Sequence, residues 1–173
     1  MMDFSYAWGM PNHLTFKIKP IKRWLEEHLP EGKILDPFAN RRSIEGVITN
    51  DLNPEADVDY HMDAIDFLRL FPDDSVDCVL FDPPYSLRQL KECYDSIGNA
   101  MTLHESKHFF SDVRNEIARV LKPGGFVFSF GWSSVGIGKN RGFQKQHLLI
   151  VCHGGNHNDT LCLKEVLITG ERS

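Results

Sequence analysis

Four strand-like stretches of this chain each run into an aspartate, and few folds accommodate that pattern. Lys33-Ile34-Leu35 leads to Asp36, and Gly46 to Asn50 leads to Asp51. Val58 to Met62 leads to Asp63, and Ser75 to Phe81 leads to Asp82. Helical patterns alternate with them. In Pro20 to Leu29, the residues Ile21, Trp24, Leu25 and His28 share one helical face, and Pro20 suits a first turn. Ala64–Phe71, Leu87–Ile97 and Lys107–Leu121 also read as helices. Three more strands are predicted at Phe126–Phe130, His147–Cys152 and Thr160–Ile168, the last two as an antiparallel pair. Strands alternating with helices predict an α/β fold, a mostly parallel seven-stranded sheet with helices on both faces. In such sheets ligands bind beyond the carboxyl ends of the strands. One such acid is readily a helix N-cap; four in succession point to a site.

The last of the four has the most specific surroundings. Asp82-Pro83-Pro84-Tyr85 follows a buried run directly. Two prolines fix φ near −65° and offer no N–H donors, so the carbonyls beside them are rigidly placed. Asp82 and the Pro83 carbonyl are acceptors suited to the two N–H groups of an exocyclic amine on a flat base. Tyr85 supplies a face for that base to stack on. The plainer alternative is a strand followed by a Pro-Pro turn and a packed tyrosine.

Length and composition bound the rest. The 173 residues fit one domain, 1–173. No apolar run approaches the roughly 18 residues that span a membrane, and the N-terminus lacks a signal-peptide pattern. Cys78, Cys93, Cys152 and Cys162 form no C-x-x-C pair and read as free thiols of a reducing, cytoplasmic setting. His153 and His157 have the spacing of a metal pair but no third ligand in register, so no metal is expected. A turn rich in glycine and Asx residues accounts for them, with Asn156 or Asn158 open to a base-edge contact. Trp132 reads equally as core or as a wall of the base pocket.

The net charge of −5 is unevenly spread. Residues 1–35 balance at +1, residues 36–85 at −9 and residues 86–173 at +3. The acids therefore gather where the strand ends lie, and the mildly basic remainder is available to phosphates.

Taken in order, these segments resemble the S-adenosylmethionine (SAM)-dependent amino-methyltransferases. The resemblance is closest to small, phage-type adenine-N6 DNA methyltransferases that lack a recognition domain. Asp36-Pro37-Phe38-Ala39 resembles motif I, Asn50-Asp51-Leu52-Asn53 motif II, and His61-Met62-Asp63-Ala64 motif III. Asp82 to Tyr85 resembles motif IV, and Lys19-Pro20-Ile21 motif X. The resemblance implies a Rossmann-like class I SAM-dependent methyltransferase fold with SAM as cofactor. It assigns Asp36, Pro37, Phe38, Asp51, Leu52, Asp63, Ala64, Lys19 and Pro20 to the cofactor. Asp51 would take the ribose hydroxyls and Asp63 the adenine amino group. Asp82, Pro83, Pro84 and Tyr85 would be catalytic, acting on a base flipped out of DNA.

Two departures stand out. Asn40 occupies a position where the family has glycine, and only about seven residues, Ala39 to Glu45, link the first two strands. A parallel crossover usually takes ten or more, so the first crossover helix is expected to be shortened or missing. A separate recognition domain is also not expected within these 173 residues, which the motifs and the sheet largely use up. Specificity would rest on Ser86–Lys91, Asn99–His108 or Ser133–Lys145, with Lys139, Arg141 and Lys145 as candidate phosphate contacts. RNA as substrate (adenine N6 or guanine N2), DNA cytosine N4, and a non-catalytic nucleic-acid-binding module stay open as alternatives, as does a monomer or homodimer.

Overall fold

The computed structural model describes residues 1–98 and 103–168. Among these residues eight strands form one sheet: β1 (Asp3–Trp8), β2 (Ile34–Asp36), β3 (Val47–Asp51), β4 (Tyr60–His61), β5 (Val76–Phe81), β6 (Leu121–Gly131), β7 (Phe143–Cys152) and β8 (Thr160–Leu167). Their spatial order is β1-β7-β8-β6-β5-β2-β3-β4. β8 runs antiparallel to both its neighbours; every other pairing is parallel. The expected seven strands are therefore corrected to eight. The addition is β1, which lies parallel to β7 at the edge.

Among the described residues, four α-helices cover the sheet: α1 (Lys19–His28), α2 (Ala64–Arg69), α3 (Leu87–Ser96) and α4 (Leu103–Val120). α1 begins with Pro20 in its first turn and buries Ile21, Trp24 and Leu25 against Cys78, Leu80, Phe128 and Leu149 on one face. Phe67 and Leu68 of α2 and Val113 and Ile117 of α4 pack against Leu35, Val79, Phe81 and Val127 on the other. β5 is thus closed on both faces, which is why Cys78, Val79 and Leu80 form an unbroken apolar run with no exposed surface. Burial of such side chains stabilises by about 1.5–3 kcal/mol each.

The link between β2 and β3 contains turns and no helix, as its short spacing predicts. Asn40 adopts φ +53°. Asparagine tolerates this left-handed conformation better than most residues, so it can stand where the family has glycine. Its N–H donates to Asp51 Oδ2 at 2.9 Å, and the Ala39 N–H donates to the Asn50 carbonyl at 2.9 Å. The turn is therefore tied directly to the end of β3.

Candidate active site

β2, β3 and β5 end side by side, and a cleft of about 860 Å³ opens at their carboxyl ends. Pro37, Phe38, Asp51, Leu52, Ala64 and the whole of Asp82 to Tyr85 line it. Two further segments complete the walls. Leu14, Thr15 and Phe16 come from the turn before α1, and Gln89, Leu90, Cys93 and Tyr94 from α3. α3 is set over the cleft by its N-cap, where the Gln89 N–H donates to Ser86 Oγ at 3.2 Å. Gln89 returns a bond, accepting the Tyr85 N–H on Oε1 at 2.8 Å. The Pro-Pro turn and α3 therefore brace each other.

The acids differ sharply in environment. Asp36 is buried beneath the cleft at 3% exposure. Burial raises its pKa well above the usual carboxylate range, and nearby Asp82 and Asp51 add to the rise, against the Phe38 N–H bond that opposes it. Burial likewise pushes Asp82 up to about 6, although Thr15 and Tyr85 hydrogen-bond to its charged form. The Tyr85 hydroxyl donates to Asp82 Oδ1 at 3.3 Å. Burial, then the Asp82 charge, raise the Tyr85 pKa in turn. A carboxylate held in this way is a strong acceptor with no cationic partner among the described residues, which suits it to incoming N–H groups.

Asp51 is arranged differently. Oδ2 accepts the Asn40 N–H at 2.9 Å and Oδ1 accepts the Asn53 N–H at 2.8 Å. Each oxygen keeps acceptor capacity for a hydroxyl, and the side chain lines the cleft. Asp63 has both oxygens engaged within the protein. Oδ1 accepts the Ile65 N–H at 2.8 Å as the N-cap of α2, and Oδ2 accepts a very short bond from the Tyr94 hydroxyl. Its neighbours Met62 and Ala64 line the cleft.

The remaining sequence candidates lie elsewhere. Lys19 and Pro20 start α1, while the residues just before them, Leu14 to Phe16, are the ones that face the cleft. Lys139, Arg141 and Lys145 fall near the start of β7, and Phe143 there pairs with Leu167, at the end of the sheet opposite the cleft. Arg141 donates to Asn115 Oδ1 at 2.7 Å, to the Ile137 carbonyl at 3.1 Å and to Ser111 Oγ at 3.0 Å. Lys145 Nζ donates to the Ser134 carbonyl at 2.5 Å. Of the segment Asn99–His108, residues 99–102 lie outside the described residues. Trp132 is half exposed, with its ring 5.1 Å from that of Tyr85 and tilted by 53°. His153 is buried. Its Nδ1–H donates to the Gly9 carbonyl at 2.7 Å, so Nε2 accepts the Thr160 hydroxyl at 2.8 Å. Both ring nitrogens are committed to the fold, and His157 sits in the turn beyond it.

Sequence reasoning missed Thr15 and Tyr94. Neither stands in a distinctive motif. Only the fold brings Thr15 beside Asp82 and Tyr94 onto Asp63.

No protein-family model matches the chain. A stretch of 73 residues, 42% of the chain, is 36% identical to the type II methyltransferase M.PvuII of Proteus hauseri and spans 20% of that protein. In structure the chain is similar to TrmN from Thermus thermophilus, at a TM-score of 0.57 and 19% identity over 87% of this chain. It covers 49% of TrmN, so the chain spans half or less of these two relatives. It is also similar to a SAM-dependent methyltransferase from Methanosarcina mazei, at a TM-score of 0.52 and 12% identity, covering 85% of this chain and 98% of that one. The fold is the Rossmann-like one of class I SAM-dependent methyltransferases.

Proposed function

We propose that the chain transfers a methyl group from S-adenosylmethionine to the exocyclic N6 amine of adenine in DNA. The observation that carries this reading is Asp82. It is a desolvated carboxylate at the mouth of β5, followed by two prolines and a tyrosine, all lining one cleft.

The chain's own residues account for the chemistry as follows. An aromatic amine is a weak nucleophile because its lone pair is delocalised into the ring. Asp82 and the Pro83 carbonyl accept its two N–H groups and draw the nitrogen toward tetrahedral geometry, leaving the lone pair exposed. A bond to a charged acceptor contributes about 1.5–3 kcal/mol, and more where water is excluded. Tyr85 stacks on the base, and Trp132 extends the aromatic surface behind it. When bound, S-adenosylmethionine supplies an electrophilic methyl group on a sulfonium. No strong general base is needed, because the nitrogen becomes acidic once alkylated and releases its proton. Catalysis is then mainly alignment and electrostatics.

The donor and acceptor set fits the cofactor at one end. Asp51, steadied by two backbone N–H groups, is suited to a pair of ribose hydroxyls. Leu52 and Met62 give apolar walls beside it. The acids around the cleft suit a ligand that carries a sulfonium and an ammonium group.

The test is incubation of the purified chain with methyl-labelled SAM and either duplex DNA or RNA, followed by nucleoside analysis. Label in N6-methyladenine from DNA supports the reading. Label in N4-methylcytosine, label from RNA alone, or no transfer would each overturn it.

A further inference from the structure

β1 is the outermost strand of the sheet and hydrogen-bonds to β7 on one side. Just past its end, the Gly9 N–H donates to the Cys152 carbonyl at 3.1 Å, which sets the facing of this backbone. In a parallel ladder, alternate residues of a strand bond to a given neighbour. The peptide groups of Asp3, Ser5 and Ala7 therefore turn toward β7, as that of Gly9 does. Those of Phe4, Tyr6 and Trp8 point out along the edge, which no strand pairs among the described residues. The side chains of the same three residues share one face of the strand and are 65%, 74% and 66% exposed. The other face is closed. Ser5 Oγ lies 2.7 Å from His147 Nε2, and Ala7 packs into the core beneath α1.

Proteins usually guard an edge strand with charge, proline or a covering element. From Phe4 to Met10 this chain has no charged residue and no proline. We propose that β1 is the contact strand of a symmetric homodimer, pairing antiparallel with β1 of a second copy across a two-fold axis at Tyr6. In that register Phe4 faces the second copy's Trp8, and Tyr6 faces its own counterpart. All three outward residues then form hydrogen-bonded pairs, and their aromatic side chains meet on one face as cross-strand neighbours. Asp3 falls opposite Gly9, so no like charges meet.

The exposed area sets the upper limit on what such pairing can cover. Phe4, Tyr6, Trp8 and Met10 are each about two-thirds exposed or more. At about 200 Å² for a large side chain they offer roughly 500 Å² per copy. The pair then approaches the ~1,000 Å² at which specific interfaces begin. Single-stranded nucleic acid also stacks on exposed aromatics, but it needs cations alongside. β1 carries Asp3 and no lysine or arginine, and Asp159 lies beside Cys152, the register partner of Trp8. The charge pattern therefore favours a second copy. The cleft lies across the sheet on β2, β3 and β5 and stays open in such a dimer.

Sedimentation velocity across micromolar concentrations tests this. The wild type is expected to run as a dimer of the 19.8 kDa chain. Tyr6→Pro removes an N–H that faces outward, so the ladder to β7 is kept. Tyr6→Lys sets two ammonium groups against each other on the axis. Both variants are expected to be monomeric with far-UV spectra like the wild type. Hydrogen exchange on the wild type gives a readout that needs no variant: the Tyr6 amide should be protected at high concentration and exchange faster on dilution. A monomeric wild type would overturn the proposal, as would dimers persisting in both folded variants. Tyr6 protection that appears only when oligothymidylate is added would assign the strand to nucleic acid instead.

Discussion

Asp82 stands where a carboxylate is hard to keep ionised, yet its proposed role is that of an ionised acceptor. With its pKa pushed up to about 6 by burial, it is half protonated near that pH. The protonated form has lost one acceptor oxygen and presents a donor to the amine. Methyl transfer should therefore rise with pH through about 6 and level off above neutrality, read as kcat/KM against pH. A flat profile from pH ~5 to ~8 would separate Asp82 from the chemistry. Asp51 belongs to a different step. If Asp51 holds the ribose as proposed, Asp51→Ala removes a two-oxygen grip and should weaken SAM binding by roughly 2–4 kcal/mol. Calorimetric titration checks it, and an unchanged Kd would move the ribose elsewhere. Asp82 and Asp51 were legible in the sequence because each closes a strand and is followed by a distinctive tetrapeptide. Thr15 and Tyr94 were not legible, because their significance is wholly tertiary.

At the scale of elements, α3 links the Asp82–Tyr85 turn to Asp63, the two sides that the proposed function gives to target and cofactor. Gln89 holds the Tyr85 backbone at one end of the helix, and Tyr94 holds Asp63 at the other. The family resemblance gives Asp63 to the adenine amino group of the cofactor, yet Tyr94 now occupies the oxygen that would serve. Tyr94→Phe frees that oxygen while leaving the α2 cap intact. Its SAM Kd is expected to fall several-fold, and an unchanged Kd would restrict Asp63 to capping. The missing first crossover helix could be read from the spacing alone, since about seven residues cannot make a helical crossover. β1 could not be read by the usual rule. Its Phe4-Ser5-Tyr6-Ala7-Trp8 alternation is regular, but the fold turns the small residues inward and the aromatics out, the reverse of the pattern for a half-buried strand. The Lys139, Arg141 and Lys145 cluster looked like a phosphate track in sequence. In the fold, Arg141 and Lys145 tie the loop to α4 and to itself, at the far end of the sheet.

For the whole molecule, the raised acids oppose stability at neutral pH. Asp36 and Asp82 bind a proton more tightly in the native state than in the unfolded chain. Their contribution is therefore fully present below about pH 4 and is lost as pH rises through the folded pKa values. Asp36→Asn keeps an acceptor for the Phe38 N–H and removes the buried charge. It should raise the melting temperature by a few degrees at pH ~8, with the gain vanishing in acid. No gain at either pH would show that Asp36 is solvated when charged. His147 works in the opposite direction. Burial, then His28 nearby, lower its pKa, and its Nδ1 accepts the Trp24 indole N–H at 3.2 Å. Its contribution to stability is lost as pH falls below about 6.5. A site of buried acids at the strand ends thus stands against the stability of its own scaffold, as expected where function sets the residues.

In the proposed function Asp82 aligns the target amine while other residues hold the cofactor. Single-turnover methylation of adenine-containing duplex DNA at saturating SAM, comparing wild type with Asp82→Ala, tests it most directly. Losing a charge-assisted bond costs one to two decades in rate, and loss of alignment adds more. The expected result is a rate below about a hundredth of wild type with SAM affinity within a few-fold. An Asp82→Ala rate above about a tenth of wild type, with SAM still bound, would contradict it.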